Sequence, residues 1–265
     1  MEDRIKVDIK GGVADVRMVR ADKMNALDDL MFKALVETGD RLKSEKGVRA
    51  VVLSGDGRAF CAGLDTSNFG RMASGDRRPS VIATPRTEGG SNHAQHAVMV
   101  WREIPVPVIA AVHGVAFGGG FQLTLGADIR YVAPDTKMAV MEIKWGLVPD
   151  MAGYVLMRGL LRDDVARELT FTGRIFSGEE AGTLGLATRV TADPRGDALK
   201  LAAEIASKSP DAMRASKRLF ALAAKGDQHA ILLAESKEQG ALIGSPNQVE
   251  AVKSNVEKRA AAYAD

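Results

Sequence analysis

The chain predicts an α/β layered fold in which a strand-rich core is followed by a helical region, and three observations carry that prediction. Short apolar runs of strand length, such as Ala50–Ser54, alternate with stretches whose apolar residues recur at helical spacing. One run, bounded by Pro107 and Gly114, leads through a short connector into three consecutive glycines, Gly118, Gly119 and Gly120, and then into helix-like Phe121, Leu123 and Leu125. From about Gly196 onward the pattern is mostly helical. We therefore divide the 265 residues into an α/β core over 1–195 and a helical region over 196–265.

Taken in order, Ile5, Val7 and Ile9 alternate with polar residues, and Gly11-Gly12 turns the chain into a second strand from Val13 to Val19. Asn25-Ala26-Leu27-Asp28 opens a helix, with Leu30, Phe32, Leu35, Val36 and Leu42 at helical spacing. A strand over 50–54 follows, then the loop Arg58-Ala59-Phe60-Cys61-Ala62-Gly63-Leu64-Asp65. From Phe69 to about His93 no period is sustained, and loops of this length are often functional. A helix is predicted from His93 to Glu103, and two further strands over Asp128–Ala133 and Lys137–Val140. Glu142 follows the second of these, and Pro149-Asp150 leads into an apolar helix containing Tyr154-Val155-Leu156. The helical region comprises Leu199–Ala206, Met213–Leu222, Ile231–Leu242 and Val249–Ala262.

A strand, a glycine turn and a helix start leave backbone N–H groups unpaired at a positive dipole end. With no Cβ at three positions, a ligand can approach that backbone, so the turn suits a phosphate or a developing oxyanion. A close strand–helix crossing that tolerates no side chain explains the glycines equally well. A dinucleotide site is disfavoured, because Leu123 stands where the third glycine of Gly-x-Gly-x-x-Gly belongs, and the phosphate-loop pattern is absent.

Composition removes several classes. A formal charge of +2 argues against nucleic acid as a general partner. No apolar run reaches membrane-spanning length, and Met-Glu-Asp-Arg at the N-terminus lacks a signal-peptide core. The single Cys61 cannot form an internal disulfide, which fits a cytoplasmic setting, and it reads as a small packing residue. His93 and His96, three apart, have no accompanying ligand cluster, so no metal is expected; one of them facing a pocket is the alternative.

Phe60-Cys61-Ala62-Gly63-Leu64-Asp65, His113-Gly114 through Gly120, Met141-Glu142, and Gly146-Leu147-Val148-Pro149 occur in that order. Together they resemble the crotonase (enoyl-CoA hydratase/isomerase) superfamily, from Asn25-Ala26-Leu27 to Glu257-Lys258-Arg259. The resemblance implies a spiral of repeated ββα units with a C-terminal helical region that builds homotrimers, often paired into hexamers. It implies an acyl-CoA thioester substrate, with no cofactor beyond the coenzyme A that the substrate carries. The N–H groups of Leu64 and Gly119 become the donors to a thioester enolate oxygen. Phe60, Ala62, Leu64 and Asp65 become contacts of the CoA moiety, with Lys23 or Arg20 as a partner for its phosphates. The 69–93 stretch would line the acyl pocket, for which Phe69, Met72, Val81, Ile82, Trp101 and Trp145 are candidates. Glu257-Lys258-Arg259 resembles a segment that reaches a neighbouring subunit's CoA site.

Three positions bear on the reaction. Glu142 matches one of the two glutamates of the family's hydratases, and Gln122 stands in place of the other. Asp150 matches an aspartate carried by some isomerases and dehalogenases, although as a residue after Pro149 it also suits a helix cap. A neutral amide holds water but cannot take its proton, whereas isomerisation needs only a base to remove one proton and an acid to return another. Double-bond isomerisation of an enoyl- or dienoyl-CoA is therefore the expectation, with hydration of a 2-enoyl-CoA and non-catalytic acyl-CoA binding as the alternatives.

Overall fold

The two central runs of the sequence are apolar almost throughout, the buried Ser54 being the exception, because each has to be buried on both faces. In a computed structural model, describing residues 3–68, 85–224 and 226–265, strand β3 (Ala50–Gly55) and strand β4 (Val108–Val112) lie side by side and parallel. Val51, Leu53, Val108, Ala110 and Val112 face one apolar cluster, while Ala50, Val52, Ile109 and Ala111 face another. Neighbouring residues point to opposite faces of a strand, so continuous burial demands continuous apolarity.

The large sheet runs in the order β1 (Ile5–Lys10), β2 (Val13–Met18), β3, β4, β6 (Ile129–Val132), β9 (Arg189–Val190). Strands β1 and β2 form the expected antiparallel hairpin about Gly11-Gly12, and β2 then pairs parallel with β3. Strands β6 and β9 extend the parallel part. A smaller sheet joins β5 (Val115–Phe117), β7 (Lys137–Ala139) and β8 (Phe176–Ser177), and Cys61 bridges to Ala116 beside it. Successive segments thus place one strand in the large sheet and the next in the small one: β3 then Cys61, β4 then β5, β6 then β7. This is the crotonase-like spiral of ββα units.

Helix α1 (Asp29–Ser44) begins where Asp28 accepts a hydrogen bond from the Met31 N–H, and α2 (His93–Glu103) begins at a capping box of Asn92 and Gln95. Helix α3 (Gly119–Leu125) follows the glycine turn and is buried along its whole length. Short helices α4 (Gly153–Met157), α5 (Asp163–Thr172) and α6 (Gly178–Thr183) complete the core side of the chain.

Four C-terminal helices follow: α7 (Pro194–Ala206), α8 (Pro210–Ala223), α9 (Gln228–Leu242) and α10 (Pro246–Val256). The first lies on the large sheet, burying Ala198, Ala202 and Ala206 against Val52, Ile109 and Ala111. Helix α9 buries no residue within the protomer. The last helix stops at Val256 rather than running to Ala262. Lys258 takes a left-handed backbone (φ 52°) and Arg259 folds back onto Glu250, which ends the regular pattern. The remaining tail is tied down by Arg49, which donates to the Tyr263 carbonyl and pairs with Asp265.

Candidate active site

The loop after β3 is shaped from beneath. Met24 and Asn25 are consecutive left-handed residues, and the buried Asn25 amide donates to the carbonyls of Asp56 (3.0 Å) and Ala59 (2.8 Å). The Ala62 N–H donates to the Met24 carbonyl, and Leu27 pairs with Leu64 as a short parallel bridge. In that bridge Leu27 donates to Gly63 and accepts from Asp65, so the Leu64 N–H points away from it.

Gly63 permits the next contact. Its backbone is left-handed (φ 87°), and a Cβ there would come within 2.6 Å of the Phe117 carbonyl and 3.7 Å of the Gly119 nitrogen. The loop therefore rests directly on the glycine turn. A Cβ on Gly120 would lie 2.2 Å from the Cys61 carbonyl, so the same loop also seats against the start of α3. The glycines therefore allow a close crossing, in which Gly63, beside the Leu64 N–H, lies against the Gly119 N–H. Among the described residues neither N–H has an acceptor in the protein.

Glu142 arrives from the other side. It opens a 3-10 turn, Glu142–Trp145, two residues after β7, and the Gly118 N–H donates to the Ala139 carbonyl at that strand's end. Glu142 is 9% exposed, and its carboxylate lies against Gly118, where a Cβ would meet Oε1 at 3.3 Å. Oε1 accepts a 2.6 Å hydrogen bond from Gln122, while Oε2 is buried without a partner. Burial raises the Glu142 carboxyl above the ordinary carboxylate range, opposed by the Gln122 hydrogen bond and reinforced by the negative charge of Asp150. Asp150 itself is exposed at the surface of the protomer, yet the chain packed around it raises its carboxyl as well.

Gln122 is buried on α3. Its carbonyl oxygen accepts from the backbone N–H groups of Met151 (2.9 Å) and Gly153 (3.0 Å), on either side of the left-handed Ala152. Those two donors carried no sequence signal, since a main-chain N–H shows only in the fold.

The structure spends other expected site residues elsewhere. The Phe60 ring is wholly buried in the core, so that residue offers a ligand only its main chain. The Asp65 carboxylate accepts from the Ser67 N–H, which does most to hold it down at about 2, and pairs with Arg20 at 2.5 Å. Arg20 is correspondingly engaged, leaving the exposed Lys23 as the cation of the pair. Ala62 and Leu64 are half-buried on the loop. Cys61 is buried, its thiol pushed up to about 12 by desolvation, which makes it a packing residue.

Trp101 is a core side chain with no exposure, donating to the Ala97 carbonyl, and it does not line a pocket. Trp145 is 48% exposed; Phe69, Met72, Val81 and Ile82 fall outside the described residues. His96 is buried and meets Asp40 of α1 at 3.3 Å. Among the described residues no cluster of three His, Cys, Asp or Glu is placed to hold a metal. No described helix is long and apolar enough to cross a membrane. Arg259 pairs with Glu250 and Glu257 within its own protomer.

The loop after β3, the start of α3 and the buried carboxylate of Glu142 thus gather around the glycine turn, within a crotonase-like spiral of ββα units. Residues 8–265 match the enoyl-CoA hydratase/isomerase family model, and the chain belongs to that family. The mitochondrial methylglutaconyl-CoA hydratase of Mus musculus is 30% identical over 95% of this chain and 79% of its own length. The mitochondrial Delta(3,5)-Delta(2,4)-dienoyl-CoA isomerase of Homo sapiens is 35% identical over 77% of this chain, but the match spans only 64% of that isomerase. In three dimensions the enoyl-CoA hydratase of Bacillus anthracis superposes with a TM-score of 0.89 at 28% identity, covering 98% of both chains. An enoyl-CoA hydratase from Polaromonas sp. JS666 does so at 0.88 and 26%, covering 98% of this chain and all of that one.

Proposed function

We propose that this chain binds an acyl-CoA thioester and shifts a carbon–carbon double bond by shuttling a proton, using Glu142 as base and acid. One observation carries the reading: a single buried carboxylate, with a partnerless Oε2, stands beside two unclaimed backbone donors, and its immediate polar neighbour is a neutral amide rather than a second carboxylate. The thioester oxygen sits between the N–H groups of Leu64 and Gly119. Glu142 removes an acidic proton, negative charge moves onto that oxygen, and the two donors stabilise it, each by roughly 3–4 kcal/mol. The protonated Glu142 then returns the proton at a different carbon, and the charge collapses back into the acyl chain. Asp150, at the mouth, is the second acid/base of the pair. The exposed Lys23 meets the CoA phosphates, and the main chain of residues 60–65 the adenine and pantetheine arm.

A relative named as a dienoyl-CoA isomerase supports this reading, while one named as a methylglutaconyl-CoA hydratase supports addition of water by the same site. Incubation with crotonyl-CoA, a 3-enoyl-CoA and a 3,5-dienoyl-CoA in deuterated water, followed by mass spectrometry, separates them. Isomerisation gives deuterium gain with a moved double bond and no added water. A product heavier by the mass of one water would instead establish hydration. Tight binding of all three without any exchange would leave a binding protein.

A further inference from the structure

Gln122 occupies the position at which a second acid would make a hydrating pair, so the natural assignment is a side chain that holds water. Its hydrogen bonds argue otherwise. The amide oxygen is saturated by two backbone donors, Met151 N–H and Gly153 N–H, and the amide nitrogen donates to Glu142 at 2.6 Å. Those contacts assign the amide's orientation, because only a carbonyl oxygen can accept from both N–H groups. They also fix its position: three hydrogen bonds tie a fully buried side chain to two separate segments.

The segment on the oxygen side is strained. Ala152 lies between the two donors with φ 67°, a left-handed backbone that an alanine holds only where its surroundings enforce it. That conformation aims both flanking N–H groups at one acceptor. Packing at Gly153 is equally close, since a Cβ there would lie 2.8 Å from the Gln122 oxygen. Asp150 begins this same turn, directly before Met151. On the nitrogen side, the hydrogen bond leaves Glu142 with Oε1 held and the buried Oε2 without a partner.

We propose that Gln122 is a positioning residue: a latch that holds the strained turn bearing Asp150 and the carboxylate of Glu142 in one fixed relation, so that Glu142 presents Oε2 alone to the substrate. It does not bind the reacting water or the substrate. The inference rests on the proposed role of Glu142 for its functional consequence, but the latch itself is a property of the free protein.

Two variants of the full-length chain test it. Gln122→Met keeps the volume and removes all three hydrogen bonds. Gln122→Glu keeps an acceptor for the two backbone donors and replaces the amide donor with a second carboxylate. The first readout needs no substrate: titration of the Glu142 carboxyl by carbon-13 NMR, assigned with Glu142→Gln. The latch donates to the ionised form, and Asp150 is the other titrating group acting on Glu142. Both variants should therefore titrate at higher pH than the wild type, Gln122→Glu the more so because like charges resist ionising together. The second readout is the pH profile of turnover. Its acid limb should move up in parallel, and for Gln122→Met kcat at neutral pH should fall on the order of 100-fold with KM little changed.

If Gln122→Met does not fold, Gln122→Glu carries the test alone. An unchanged Glu142 titration in every folded variant would overturn the latch. A shifted titration in a protein that turns over no enoyl-CoA would keep the latch and refute the catalytic reading instead.

Discussion

At the scale of single residues, Glu142 concentrates the trade between stability and chemistry. Glu142→Gln should abolish deuterium exchange into every enoyl-CoA while leaving CoA-ester affinity within a few-fold, measured by calorimetry. Retained exchange would remove Glu142 from the mechanism. The wild-type acid limb should lie above the ordinary carboxylate range, because the base must be ionised and burial raises its carboxyl. The same shift has a stability sign. Below about pH 4.3, the unperturbed glutamate value, Glu142 is protonated whether the chain is folded or not, and its buried neutral form costs little. As pH rises through the raised folded value, the ionised form is favoured in the unfolded chain and that part of the stability is lost. Glu142→Gln should accordingly melt higher than wild type at neutral pH and converge with it below pH 4. A melting point unchanged or lowered at neutral pH would contradict the burial argument.

At the scale of elements, two substitutions separate the frame of the site from the frame of the fold. Asn25 sits under the loop that carries Leu64, and no nucleophile or titrating group is involved. Asn25→Ala leaves two carbonyls without their buried donor, at a cost of about 1–3 kcal/mol, and lets the loop drift from the glycine turn. It should lower both the denaturant midpoint and kcat/KM. Ala202 of α7 packs on the opposite face of the large sheet, away from the glycine turn. Ala202→Leu overpacks that layer, costing about 1–3 kcal/mol, and should spare kcat/KM at temperatures where the variant is folded. Equal effects of the two substitutions on activity would mean that the loop is not specially held.

At the scale of the whole molecule, the C-terminal region presents apolar surface that the protomer does not cover. Leu232 and Leu233 on α9 are more than half exposed, and Phe220 on α8 is 76% exposed. Large exposed apolar patches commonly mark surfaces that associate. We expect a homotrimer, or two trimers paired, in sedimentation equilibrium. Leu233→Asp should reduce the mass toward the protomer; a wild type that already sediments as a protomer at micromolar concentration would refute this.

Much of the architecture could be read from the chain because its signals are local. Strand length, continuous apolarity, the glycine pair at the hairpin and the glycine triplet before a helix depend on neighbours a few residues apart. The turns that carry Leu64, Gly119, Glu142 and Gln122 were legible for the same reason. Facing was not. Trp101 looked like a pocket wall, yet the phase of α2 turns it into the core with Ala94, Ala97 and Val98. Phe60 and Asp65 sit in a binding-type loop, but the first fills the core and the second is claimed by Arg20, 45 positions earlier. The amide of Gln122 reads as an absent carboxylate in the sequence. Only the fold brings it to Met151 and Gly153, 29 and 31 residues away, and makes it a link between two segments. Backbone donors and left-handed turns such as that at Ala152 are written in no side chain. The sequence thus determined which chemical groups this protein possesses and which secondary structures carry them. Tertiary structure decided which of those groups meet, because partner choice depends on long-range packing that local composition does not encode.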